Sequence, residues 1–111
     1  MTDREMLELA ARAAGLKEFT EINGRFAVRT RFTGMQDWSP WNPLTDDGDA
    51  LRLAVYLEFE IDITSTGVAV RTRCGLKVLV NKTEEPDLCA AARLAITRAA
   101  AEIGRQMEEQ S

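Results

Sequence analysis

The chain has 111 residues, 45% of them hydrophobic, no histidine, and 14 Lys and Arg against 18 Asp and Glu, for a formal net charge of −4. One hydrophobic core suffices at this length, so a single domain over 1–111 is expected, and no apolar run approaches the roughly 20 residues of a membrane span. The negative balance argues against indiscriminate attachment to nucleic acid, which rests on neutralising phosphates, and direct nucleic-acid binding is not expected.

Met1-Thr2-Asp3-Arg4-Glu5 leads straight into an amphipathic pattern with no apolar leader, so the chain is expected to stay in the cytoplasm where it is made. Thr2 suits an N-cap with Glu5 placed for a capping box. Met6, Leu9, Ala10 and Ala13, flanked by Leu7 and Ala14, form one apolar stripe at helical spacing, which Gly15 ends. Asn23-Gly24 is a strong hairpin signal, because both turn positions want positive φ. It joins Lys17–Ile22 to Arg25–Phe32, where Phe26, Val28, Thr30 and Phe32 share a face.

Both tryptophans and two of the three prolines fall in the loop Asp37-Trp38-Ser39-Pro40-Trp41-Asn42-Pro43. A helix follows from about Asp46 to Tyr56, with Asp46, Asp47 and Asp49 at its positive end. Phe59, Ile61 and Ile63 then alternate with Glu58, Glu60 and Asp62, the pattern of a half-buried strand. Across the turn Thr64-Ser65-Thr66-Gly67, pairing Ile63 with Val68 also sets Glu60 against Arg71 and Glu58 against Arg73. Hydrophobic and charge patterns choose the same register.

Gly75 breaks the run, and Leu76–Asn81 reads as another apolar strand. Thr83-Glu84-Glu85-Pro86-Asp87 opens a long last helix, with proline placed in its first turn. Leu88, Ala92, Ala95, Ala99 and Ile103 recur on one face, flanked by Ala91, Leu94, Ile96 and Met107. So alanine-rich a face calls for a close neighbour, either the sheet or the same helix of a second subunit. The expected fold is α+β: a mainly antiparallel sheet of about five strands packed with N-terminal, central and long C-terminal helices. A homodimer using the last helix or the adjoining strand edge is expected.

Two stretches resemble small tailed-phage and prophage proteins of the phage α/β/α-sandwich family, and more loosely the NinX-type accessory proteins. They are Trp41-Asn42-Pro43-Leu44-Thr45-Asp46-Asp47-Gly48-Asp49-Ala50-Leu51-Arg52-Leu53-Ala54-Val55 and Ala91-Ala92-Arg93-Leu94-Ala95-Ile96-Thr97-Arg98-Ala99-Ala100-Ala101-Glu102-Ile103-Gly104-Arg105. The resemblance implies a phage genome and a host bacterial cytoplasm. It implies no reaction.

Several residues could carry chemistry, each beside a plainer use. Asp46, Asp47 and Asp49 could hold a hard cation, but their spacing is not that of an EF-hand loop, and helix capping accounts for all three. Trp38 and Trp41 could stack on a planar ligand, or cover the end of the core. Arg25, Arg29 and Arg31 share one strand face, and Arg71 and Arg73 another. If the two faces coincide they offer a cationic surface for phosphate, although Glu60, Glu58 and Glu18 can pair with Arg71, Arg73 and Arg29. Glu84, Glu85 and Asp87 could present a surface that imitates nucleic acid.

Cys74 and Cys89 are too few and too far apart for a disulfide scaffold or a zinc knuckle, and both read as reduced, buried thiols. No histidine can activate Cys74, and no phosphate-cradling glycine loop is present. No catalytic residue, metal or cofactor is assigned. The missing catalytic residues and the resemblance together imply, as an expectation, a non-enzymatic phage-encoded binding protein that sequesters a small nucleotide signal or engages a host defence protein. Its ligand contacts are drawn from Trp38, Trp41, Arg25, Arg29 and Arg31. The alternative is a metal-dependent phosphodiesterase using Asp46, Asp47 and Asp49.

Overall fold

The structure, a computed structural model, describes residues 2–16, 18–29 and 38–110. Helix α1 spans Asp3–Ala13, and Thr2 caps it by accepting the Glu5 N–H at 3.1 Å. Its end closes with the Leu16 N–H on the Ala11 carbonyl and the Gly15 N–H on that of Arg12, which seats Leu16 in the core. Strands β1 (Phe19–Ile22) and β2 (Arg25–Arg29) form the expected hairpin, with Asn23 at φ 52° and Gly24 at φ 77°.

The tryptophan loop departs from expectation. Trp38–Pro40 is a third strand, β3, antiparallel to β2. Proline is tolerated there because β3 lies at the edge of its sheet, where a missing N–H costs no ladder bond. Helix α2 (Asp47–Tyr56) begins on Asp46, whose carboxylate accepts the Asp49 N–H at 2.9 Å. Strands β4 (Glu60–Thr64), β5 (Gly67–Arg71) and β6 (Lys77–Asn81) form a second antiparallel sheet. Its register pairs Ile63 with Val68, Ile61 with Val70 and Glu60 with Arg71, as the side-chain patterns require. Helix α3 runs from Leu88 to Glu109, with Asp87 as N-cap, so Pro86 stands before the helix rather than in its first turn.

The single sheet of about five strands is therefore corrected to two sheets of three, β1-β2-β3 and β4-β5-β6. Helix α1 carries the first sheet, α3 carries the second, and α1 and α3 pack along each other. Ala91, Ala95, Ala99 and Ala100 have no exposed surface, and Gly104 approaches the α1 backbone at Leu9. These alanines are thus covered within one chain, while Ala92 stays half-buried beside a groove lined by Leu51 and Ile63. On the sheet side of α3 lie Val68, Val70 and Val80, all buried. Among the described residues no helix is long and apolar enough to cross a membrane.

Candidate functional site

Because β3 runs back beside β2, Trp38 stands directly opposite Arg29 and Pro40 opposite Ala27. Side chains alternate across a strand. Arg25, Ala27 and Arg29 thus share the outer face of the first sheet with Trp38 and Pro40, while Phe26 and Val28 are buried on the inner face. The Arg29 guanidinium lies over the Trp38 ring, 5.0 Å from its centroid, and reaches the Glu18 carboxylate at 3.4 Å. An exposed cation–π contact of this kind contributes about 0.5–1 kcal/mol. Trp38 keeps 36% of its surface in solvent.

A hollow of about 500 Å³ opens on this outer face, lined by Ile22, Asn23, Arg25, Ala27, Trp38 and Pro40. That size lies within the ~300–1,000 Å³ range of small-ligand sites. Arg25 makes no ion pair among the described residues, unlike Arg29 beside it. A larger hollow of about 620 Å³ shares Arg25 and Pro40 with the first and is otherwise bounded by α1 at Arg4, the first hairpin at Glu21, Trp41 and the start of α2. Its other charges are matched. Arg52 meets Asp49 at 2.7 Å and Asp46 at 3.8 Å, and Arg4 meets Glu8 at 3.0 Å and Glu21 at 3.7 Å.

Strand parity separates the two tryptophans. Trp41 falls three residues after Trp38, on the inner side, where its ring packs 6.1 Å from that of Phe26 and its N–H donates to the Phe26 carbonyl at 3.0 Å. It is a half-buried border of the core. The structure brings Trp38, Arg25 and Arg29 onto one face and puts Trp41 on the other side, where it lines the larger hollow that Arg25 also borders. Arg31 lies outside the described residues.

Each aspartate at the start of α2 has its own protein partner. Asp46 caps the helix, Asp49 accepts the Asn42 N–H at 2.9 Å and holds Arg52, and Asp47 binds Arg93 at 2.5 Å. Among the described residues no three carboxylate or thiol side chains converge on a point that could hold a metal. Arg93 carries no local signal in the sequence, since its partners are Asp47 and the Leu44 carbonyl, at 3.0 Å, far back along the chain. It ties the end of the tryptophan segment to α3.

Arg71 ends β5 of the second sheet and Arg73 lies in the turn after it, so the two do not share a strand face and neither joins the sheet of Arg25 and Arg29. Arg73 pairs with Glu58 at 2.9 Å. Of the acids that could imitate nucleic acid, Glu84 binds Arg98 at 2.5 Å and Asp87 caps α3. Both cysteines are free and exposed, which corrects the expectation of buried thiols. The Thr72 hydroxyl lies 3.1 Å from the Cys74 sulfur while accepting the Leu76 N–H. Together with the Leu76 amide, it holds the thiol below its usual range.

Comparison with protein-family models, with characterised proteins and with solved structures finds no match. The outer face of the first sheet is therefore read from its own chemistry.

Proposed function

We propose that this chain is a binding protein, with no reaction of its own, whose Trp38–Arg25–Arg29 face receives a small planar anion. The single observation that carries the reading is that Arg25, a cation without a carboxylate partner among the described residues, lines the same hollow as the half-exposed indole of Trp38. A flat π-system stacks on an indole, and a guanidinium offers phosphate a bidentate, charge-assisted contact. A nucleotide combines those two features. Arg29, already laid over the Trp38 ring and tethered to Glu18, keeps the indole in one orientation. The resemblance to phage α/β/α-sandwich proteins supports placing that ligand in an infected bacterium, where sequestering a nucleotide signal would blunt a host defence.

The test is titration of purified protein with a panel of linear and cyclic nucleotides, followed by tryptophan fluorescence and calorimetry. Trp38→Ala should weaken capture by about 1–3 kcal/mol, the range of base–aromatic stacking. Arg25→Ala should weaken it by roughly 1.5–3 kcal/mol, the range of charged hydrogen bonds. A protein that quenches with no nucleotide, or binds one equally well in both variants, has some other ligand or another site.

A further inference from the structure

The second sheet has two free edges among the described residues, β4 and β6, and they are built differently. Natural edge strands are blunted by charge so that they do not pair with other chains. β4 carries Glu60 and Asp62 on its outer face, with Glu58 just before it. β6, Lys77-Val78-Leu79-Val80-Asn81, has one lysine at its start and then three apolar residues, and Leu79 at its centre is 64% exposed.

The bonding phase of β6 can be read from the ends of its ladder. The Lys82 N–H donates to the Thr66 carbonyl at 2.8 Å, and the Thr72 N–H to the Leu76 carbonyl at 2.9 Å. In an antiparallel pair, hydrogen-bonded and non-bonded positions alternate. With Val68 opposite Val80 and Val70 opposite Val78, the even-numbered residues of β6 face β5. The N–H and C=O groups of Lys77, Leu79 and Asn81 therefore point to the open edge.

We infer that β6 is the dimer interface of this protein, pairing antiparallel with β6 of a second copy about a two-fold axis at Leu79. Parity demands that Val78 and Val80 stay on the buried face, and the register that uses the whole strand sets Leu79 against Leu79, Val78 against Val80 and Lys77 against Asn81. The two Leu79 residues exchange both backbone bonds, and the Asn81 N–H meets the Lys77 carbonyl of the second copy. The Asn81 carbonyl already accepts the Glu84 and Glu85 N–H groups within its own turn. No like charges face each other, and the exposed leucine is covered by its own twin.

The same operation on β4 fails on charge. The register that uses the whole strand sets Asp62 against Asp62, the one centred on Ile61 sets Glu60 against Asp62 twice, and only the short register centred on Ile63 avoids like charges, which are destabilising when directly opposite. Only β6 thus pairs with a second copy along its whole length without opposing like charges. Each free edge of the resulting six-stranded sheet is an acidic β4. The closest competitor is the apolar groove beside Leu51 and Ile63, between α2, β4 and α3.

Sedimentation velocity of the wild type and of Leu79→Lys and Leu51→Lys, each checked by thermal melting, tests this. The expected result is a wild-type dimer at micromolar concentration, conversion to monomer in Leu79→Lys with an unchanged melt, and a dimer retained in Leu51→Lys. A wild-type monomer overturns the inference, and so does a dimer lost only in Leu51→Lys. Should Leu79→Lys fold poorly, Leu79→Cys in a Cys74→Ser, Cys89→Ser background supplies an independent reading. Opposed bonded residues have Cα atoms about 5.5 Å apart, within reach of a disulfide. Mild oxidation should cross-link that variant far faster than Leu51→Cys in the same background, and equal or slower cross-linking overturns the pairing.

Discussion

A methyl group added to Gly104 of α3 would stand 2.0 Å from the carbonyl oxygen of Leu9 in α1. The two helices meet backbone to backbone at this point, and no rotamer change can relieve the contact. In an isolated helix, replacing glycine by alanine gains about 1 kcal/mol from propensity. Here overpacking should outweigh that gain, so Gly104→Ala is expected to lose at least about 1–3 kcal/mol. Urea denaturation decides between them, since a more stable variant would mean that the helices do not touch there.

The two tryptophans should separate in stability as they do in position. Trp41→Ala removes a half-buried ring packed against Phe26 and is expected to cost about 2–4 kcal/mol, near the lower end for aromatic truncations. Trp38→Ala forfeits an exposed stack on Arg29 and should cost about 0.5–1 kcal/mol. Matched thermal melts measure both, and equal losses would place both rings in the core.

Of the two cysteines, Cys74 should be the faster to alkylate near neutral pH. The Thr72 hydroxyl and the Leu76 amide lower its pKa from 9.0, and exposure leaves the sulfur open to reagent. Thr72→Val removes the hydroxyl and should slow Cys74 while leaving Cys89 unchanged. Mass spectrometry of iodoacetamide adducts over time reads each site separately, and a rate at Cys74 indifferent to Thr72→Val would sever the link.

Much of this architecture is legible in the amino-acid sequence. The β4–β5 register follows because Ile61 and Ile63 must face Val70 and Val68 while Glu60 faces Arg71, and one alignment satisfies both conditions. Asp46, Asp47 and Asp49 announce the start of α2 by the same electrostatics that occupy them there. β3 was hidden, because Trp-Ser-Pro is too short to show alternation and proline reads as a loop away from an edge. Without β3 the faces of Trp38 and Trp41 cannot be told apart. Alternation says which side of a strand is apolar but not which strand lies next to it, so two sheets looked like one. The alanines of α3 likewise show that something comes close, whereas only the fold reveals that it is α1 as well as the second sheet.

Acid should weaken the protein in a defined direction. The carboxyls of Glu84 and Glu102 titrate below their ordinary value of 4.5, held down by Arg98 and Arg105 respectively. The folded state therefore binds fewer protons than the unfolded state, and the stabilisation is complete above 4.5 and lost as pH falls through the lowered values. Melting temperature should hold near neutrality and drop in acid. Because Glu84 is solvent-facing, added salt should shrink its share. Arg98→Met should flatten part of the acid limb, and an unchanged pH profile in that variant would show that the pair contributes nothing.

The pairing of α1 with α3 also sets a timetable for synthesis. The first helix leaves the ribosome with its apolar stripe exposed, and its permanent neighbour begins only at Leu88. Until that late segment emerges, the first sheet rests on an unsupported helix and the valines of the second have nothing above them. Local hairpins can close early, but the long-range contacts that hold both halves arrive last. Nascent chains should remain sensitive to protease and to chaperone binding up to that point, and gain protection in one late, concerted step.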